Sequence, residues 1–145
     1  MSSAQVHVPD STFVELAPDA HTQPFWDAAR EHRLELPRCR DCGVFVVPPT
    51  GYCPSCRKDD FEWVQLSGRA TLYTYTVVWH PVTPSLSGSV PYVLAVVKLP
   101  DAGDVKLVTN IVDCAVDDLR IGQELEVVWS EHSGGYVLPR FRLIA

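Results

Sequence analysis

The sequence has no run of about 18 apolar residues, so it carries no membrane-spanning helix. Its first residues, MSSAQVHVPDSTFVEL, have neither a basic start nor an apolar core. They do not read as a secretory signal, and a cytoplasmic setting is expected. GxSxG, GxGxxG, a phosphate loop and HExxH are all missing. The five histidines, His7, His21, His32, His80 and His132, are scattered, and a stand-alone enzyme finds no constellation to support it. Basic residues are scarce as well: 12 Lys and Arg face 18 Asp and Glu, a net charge of −6 over 145 residues. Tight nonspecific binding of nucleic acid needs many cations to displace phosphate counterions, so this balance disfavours it.

What the chain does have is five cysteines. In a reducing compartment these are metal ligands or buried thiols rather than disulfides. Four follow the pattern C-x2-C-x10-C-x2-C, at Cys39, Cys42, Cys53 and Cys56. Two intervening residues let both thiolates of a tight turn reach one ion about 2.3 Å away, and ten allow a hairpin to bring the second pair round. The spacing predicts one zinc ion, with iron in a rubredoxin-like site as the chemical alternative. Four protein ligands leave no open position, so the metal is expected to be structural. Gly43 follows Cys42 where a knuckle turn needs a free backbone; the second knuckle has Arg57 there instead, with some strain expected. Arg38, Arg40, Arg57 and Lys58 flank the ligands and would offset the negative charge of a four-thiolate zinc. Residues 30–69 are near +1 against −7 for the rest of the chain, a local patch that could meet a small anion. Cys114 stands alone and reads as a small buried or edge residue.

The remaining pattern is mainly β. Residues 1–21 read as a loosely held flexible tail, 22–66 as a short helix plus ribbon, and 67–145 as a barrel. The helix is expected over Thr22–His32, with Thr22 as its cap and Pro24 in the first turn. So short a helix must dock on something. Arg33–Pro37 is predicted as a strand, and GVFVVPPTGY as a hairpin between the cysteine pairs. Strands follow at Ala70–His80, Tyr92–Leu99, Val105–Val112 and Glu124–Trp129, with a last strand in which Val137, Phe141 and Leu143 alternate with Arg140 and Arg142. PVTPSLSGSVP is expected to be a flexible loop. Tyr73, Tyr75 and Trp79 should share one face of the long strand, more simply a half-buried face than a platform for stacking bases. Five strands with the first one long match a Greek-key barrel of the OB type, with a β-sandwich as the competitor.

The order of these pieces resembles a known family. PFWDAAREHRLELPRCRDCGVFVVPPTGYCPSC, then Trp63 and Gly68-Arg69, then TLYTYTVVWHP, PYVLAVVKL, IGQELEVVW and LPRFRLI look like the zinc-ribbon plus OB-fold family catalogued as domain of unknown function 35. The resemblance implies an N-terminal helix, a rubredoxin-like zinc ribbon and a C-terminal five-stranded OB-fold barrel, with Cys39, Cys42, Cys53 and Cys56 as the zinc ligands. It implies a non-catalytic accessory subunit, part of a hetero-oligomer with a thiolase-like enzyme (a sterol-carrier-protein-type thiolase or an aldolase derived from one). Such proteins are thought to bind acyl-CoA, and some pair with MaoC-type hydratases in steroid side-chain degradation. On this reading Phe25, Trp26, Phe45, Val46 and Val47 are expected at a protein interface; Phe25 and Trp26 pinning the helix to the ribbon is the plainer alternative. Arg38, Arg57 and Lys58 are the expected contacts for CoA phosphates. A nucleic-acid-binding ribbon/OB module is the alternative function.

Overall fold

The computed structural model describes residues 3–11 and 14–144. One helix, α1 (Gln23–Arg30), precedes a two-stranded ribbon of β1 (Glu35–Cys39) and β2 (Phe61–Gln65). Five strands then close a barrel: β3 (Arg69–Val78), β4 (Tyr92–Leu99), β5 (Val105–Ile111), β6 (Glu124–Glu131) and β7 (Val137–Leu143). Their order is β3-β4-β5-β7-β6, and β6 returns to pair with β3. The contact between β5 and β7 is parallel and has one registered pair, Ile111 with Phe141. This is the mainly β, OB-type architecture expected from the strand pattern, not a sandwich.

Thr22 occupies the helix N-cap position but makes no side-chain cap. The Asp19 carboxylate instead accepts the N–H groups of His21 and Thr22, both at 2.9 Å. These bonds, that of Thr22 foremost, hold the Asp19 pKa below its usual value.

The expected hairpin within residues 43–52 is not formed. Phe45 makes a single bridge to Arg38, and the partner of β1 is β2, more than twenty residues on. Pro48 and Pro49 have no N–H to offer a ladder, so the segment cannot extend as a paired strand. Residues 81–91 also carry more structure than their composition suggested: Leu86 is buried on a short 3-10 turn, Pro84–Leu86.

The long strand β3 contains a register shift between Leu72 and Thr74. A bulge adds one residue and so flips the in–out alternation beyond it. Ala70 and Leu72 face the core before it; Tyr75 and Val77 do so after it. Tyr73 is left on the outer face, with the amines of Lys98 and Lys106 5.1 and 4.8 Å from its ring centre. The expected stripe of Tyr73, Tyr75 and Trp79 is therefore divided between faces.

One core serves both ribbon and barrel. Leu34 and Leu36, at and just before β1, join Leu72, Val93, Val97, Ile111, Leu119, Leu125 and Phe141 in a single buried cluster. The start of the chain is tied to this body rather than loose. Gln5 bridges to Ala115, the Val6 N–H donates to the Cys114 carbonyl at 2.9 Å, and the His7 N–H to the Pro91 carbonyl at 2.9 Å. Buried His132 holds Ser11 Oγ and the Val14 carbonyl, each at 2.8 Å. These partners lie 84 to 121 residues away along the chain, where composition gives no sign of them. Residues 1, 2, 12 and 13 of the expected tail lie outside the described residues.

Candidate metal centre

Two knuckles build the metal site, one leaving β1 and one in the loop before β2. In each, the residue after the second cysteine turns its N–H back onto the first. Gly43 donates to the Cys39 carbonyl at 2.9 Å and Arg57 to the Cys53 carbonyl at 2.8 Å. Both turning residues have positive φ, +78° at Gly43 and +68° at Arg57. The strain expected at Arg57 is thus present in the backbone.

The four sulfurs lie within 4.8 Å of one another, with Cys39–Cys56 and Cys42–Cys53 at 3.5 Å. Tetrahedral zinc with bonds of about 2.3 Å separates its sulfurs by roughly 3.8 Å, so the donor set fits that ion in number, element and spacing. Cys39 and Cys53 are fully buried, whereas Cys42 is exposed. The Cys53 thiol is brought down to about 7, first by the Cys56 N–H. The Lys58 N–H also favours a Cys56 thiolate, yet burial and the three neighbouring sulfurs push that thiol up to about 12. Sulfurs so close repel one another once ionised, and a divalent cation is what lets all four hold negative charge. The site supplies four protein ligands and no open position. Cys114 is apart from it, buried, with its thiol pushed up to about 11 by desolvation.

The basic residues around the site are largely engaged. Arg38 forms an ion pair with Glu62, Lys58 with Asp41 at 3.1 Å, and Arg40 with Asp60 at 3.1 Å. Arg57 makes no ion pair among the described residues.

Of the expected interface residues, Phe25 and Trp26 are half-buried and pack edge to face, 5.1 Å between ring centres. Phe25 leans on the core, while Trp26 reaches Tyr136, just before β7, at 5.8 Å. Phe45 and Val47 are partly buried against the core. Val46 is 4% exposed and borders a cleft with Phe45, Val47 and Pro48. Phe25 and Trp26 border two adjoining clefts, one toward Val47 and Pro48 and one toward β5 and β7.

The second cleft contains a residue whose placement the sequence did not disclose. Alternation in the last strand groups Arg140 with Arg142, opposite Val137, Phe141 and Leu143. Arg142 is exposed, pairing with Glu126 at 2.9 Å, but Arg140 is 7% exposed, with Asn110 as a hydrogen-bond partner. Its pKa is lowered by desolvation.

Residues 26–62 match a family model described as the ChsH2 rubredoxin-like zinc ribbon domain, and residues 63–130 one described as the ChsH2 C-terminal OB-fold domain. The chain is 37% identical over 119 residues to a probable enoyl-CoA hydratase alpha subunit of Thermomonospora curvata, covering 81% of this chain and 36% of that protein. It is 38% identical over 93 residues to a DUF35 domain-containing scaffold protein of Methanocaldococcus jannaschii, covering 63% of this chain and 64% of that one. A benzoylsuccinyl-CoA thiolase subunit, BbsA, of Thauera aromatica is 38% identical over 68 residues, 47% of this chain and 44% of that subunit. Among solved structures, a chain of an Ltp2-ChsH2(DUF35) aldolase superposes with a TM-score of 0.79 at 33% identity, over 89% of this chain and 98% of that one. The chain thus spans about a third of the Thermomonospora relative and just under two thirds of the archaeal one.

Proposed function

Because this chain belongs to the DUF35 family of zinc-ribbon and OB-fold proteins, we propose that it is a non-catalytic accessory subunit of a thiolase-like enzyme or of an aldolase related to one. The observation that carries this reading is the likeness to the DUF35 chain of the Ltp2-ChsH2 aldolase, which runs through ribbon and barrel together. The similarity to a thiolase subunit points the same way. In this reading the partner supplies the chemistry, and the zinc shapes the ribbon that meets it.

The chain would assist its partner with acyl-CoA thioesters, in steroid side-chain breakdown or another acyl-CoA degradation. Arg57, which has no ion-pair partner among the described residues, is the best placed of the expected phosphate contacts; Arg38 and Lys58 would first have to leave Glu62 and Asp41. Phe25, Trp26, Phe45 and Val47 form the interface, since half-buried aromatics beside a cleft are the usual anchors of such surfaces.

Co-expression with a thiolase-like enzyme from the same organism tests the reading. The two should co-purify, and Trp26→Ala should weaken the complex by a factor of ten or more while zinc content stays at one per chain. If Trp26 only pins α1, the isolated variant melts lower and binding falls only with the unfolded fraction. Failure of any thiolase-fold protein to bind the wild type would end the proposal.

A further inference from the structure

Arg140 is a buried cation with no ion-pair partner among the described residues, in a chain that has 18 carboxylate side chains. Among the described residues no carboxylate is within 4.0 Å of it. Its Nε donates to Ser130 Oγ at 3.2 Å, and its Nη1 donates to Asn110 Oδ1. Asn110 is itself fixed, its Nδ2 donating to the Val93 carbonyl at 2.9 Å. Those two bonds stitch β7 to β6 and β5 across the seam where β5 and β7 share only one registered pair. They leave Nη2 with no partner among the described residues. No side-chain nitrogen or oxygen of the described residues is both sealed and unpartnered, so Nη2 opens outward.

Arg140 also lines a cavity of about 310 Å³, with Phe25, Trp26, Leu94, Val108 and Asn110 around it. The rim is apolar and uncovered: Leu94 is 44% exposed and Val108 67%. A guanidinium fixed in the wall of an apolar, aromatic-lined pocket is poorly hydrated, and its free N–H groups can take a carboxylate through charge-assisted hydrogen bonds. A tryptophan and an arginine within a ring of exposed apolar residues is also the make-up of a protein interface hot spot. A stitching role alone would not require the third nitrogen or the charge, which is costly to bury unpaired.

We propose that this pocket receives an acidic side chain of the partner enzyme, whose carboxylate supplies the counter-charge that Arg140 lacks in the isolated chain. The inference rests on the partner-subunit reading and adds to it the chemistry of the contact. The test compares wild type, Arg140→Met and Arg140→Lys in the complex and alone. Arg140→Met should weaken binding about 30-fold or more, because it leaves the partner's carboxylate buried and unpaired. Arg140→Lys should recover part of that loss. The melting temperature of isolated Arg140→Met should change little, because relief of an unpaired buried charge offsets the two hydrogen bonds lost to Ser130 and Asn110. Wild-type affinity in Arg140→Met, or a loss matched by its unfolded fraction, overturns the proposal. Titrating propionate against propionamide into the isolated chain separates the pocket from the partner reading. Propionate alone should shift the Trp26 indole N–H resonance, and not in Arg140→Met; a wild type that does not distinguish the two probes also overturns the proposal. If the wild type captures no thiolase-like enzyme, the proposed occupant falls with its source, while a propionate response would still mark Arg140 as a carboxylate site.

Discussion

The two residues that turn the zinc knuckles, Gly43 and Arg57, hold the same left-handed backbone with different side chains. A Cβ built at Gly43 meets nothing within 4 Å, so Gly43→Ala tests conformation alone. It should cost about 1–2 kcal/mol, while Arg57→Gly should gain roughly 0.5–1 kcal/mol, the relief being partly offset by the freer unfolded chain. Denaturant melts of the zinc-loaded protein check both. Asp101 gives a pH dependence at the same scale. Ser67, through its side chain and its backbone N–H at 2.8 Å, holds this carboxylate below its usual value of 3.8. A carboxylate so lowered contributes stability that is fully present above its unfolded value and is lost as pH falls through the lowered folded one. Between pH 6 and pH 3 the wild type should therefore lose stability more steeply than Asp101→Asn, as urea midpoints at each pH would read.

Among the elements, α1 illustrates how little an isolated segment decides. Its eight residues are too few to hold a helix in water, and it persists because Ala28 and Ala29 are buried and Trp26 and Arg30 lie against Tyr136. By lying there it also walls the pocket in which Arg140 is buried. The bulge in β3 decides faces in the same indirect way: one extra residue sends Tyr73 out to Lys98 and Lys106 and brings Tyr75 in. A continuous base-stacking platform on this strand is lost with it, which weighs against the nucleic-acid reading.

At the scale of the molecule, ribbon and barrel melt together or apart according to whether they share a core, and they share one. Leu34 and Leu36 beside the first knuckle are 2% and 1% exposed within the same cluster as Phe141 and Leu125. Structural zinc is worth about 10–16 kcal/mol to small domains that are unfolded without it. Stripping the metal with a chelator should therefore lower the whole chain's thermal transition, followed by far-UV circular dichroism, as one cooperative step. Two transitions, with the upper one unmoved, would show the barrel to be independent of the ribbon.

The sequence by itself determined the metal ligands and the five strands of the barrel. Ligand spacing within a knuckle is a local property, readable from Cys39 to Cys56, and alternation over Tyr92–Leu99 or Glu124–Trp129 is a property of a single strand. The tertiary structure decided which strands meet and what lies between them. That β1 pairs with β2 rather than with its own loop, that Gln5 reaches Ala115, and that Arg140 is buried behind a helix more than a hundred residues earlier are contacts between segments far apart in the chain. No local period encodes them. Arg140 and Arg142 look alike in the last strand; the packing of α1 over β7 leaves Arg142 a surface ion pair and makes Arg140 a buried charge with no ion pair among the described residues.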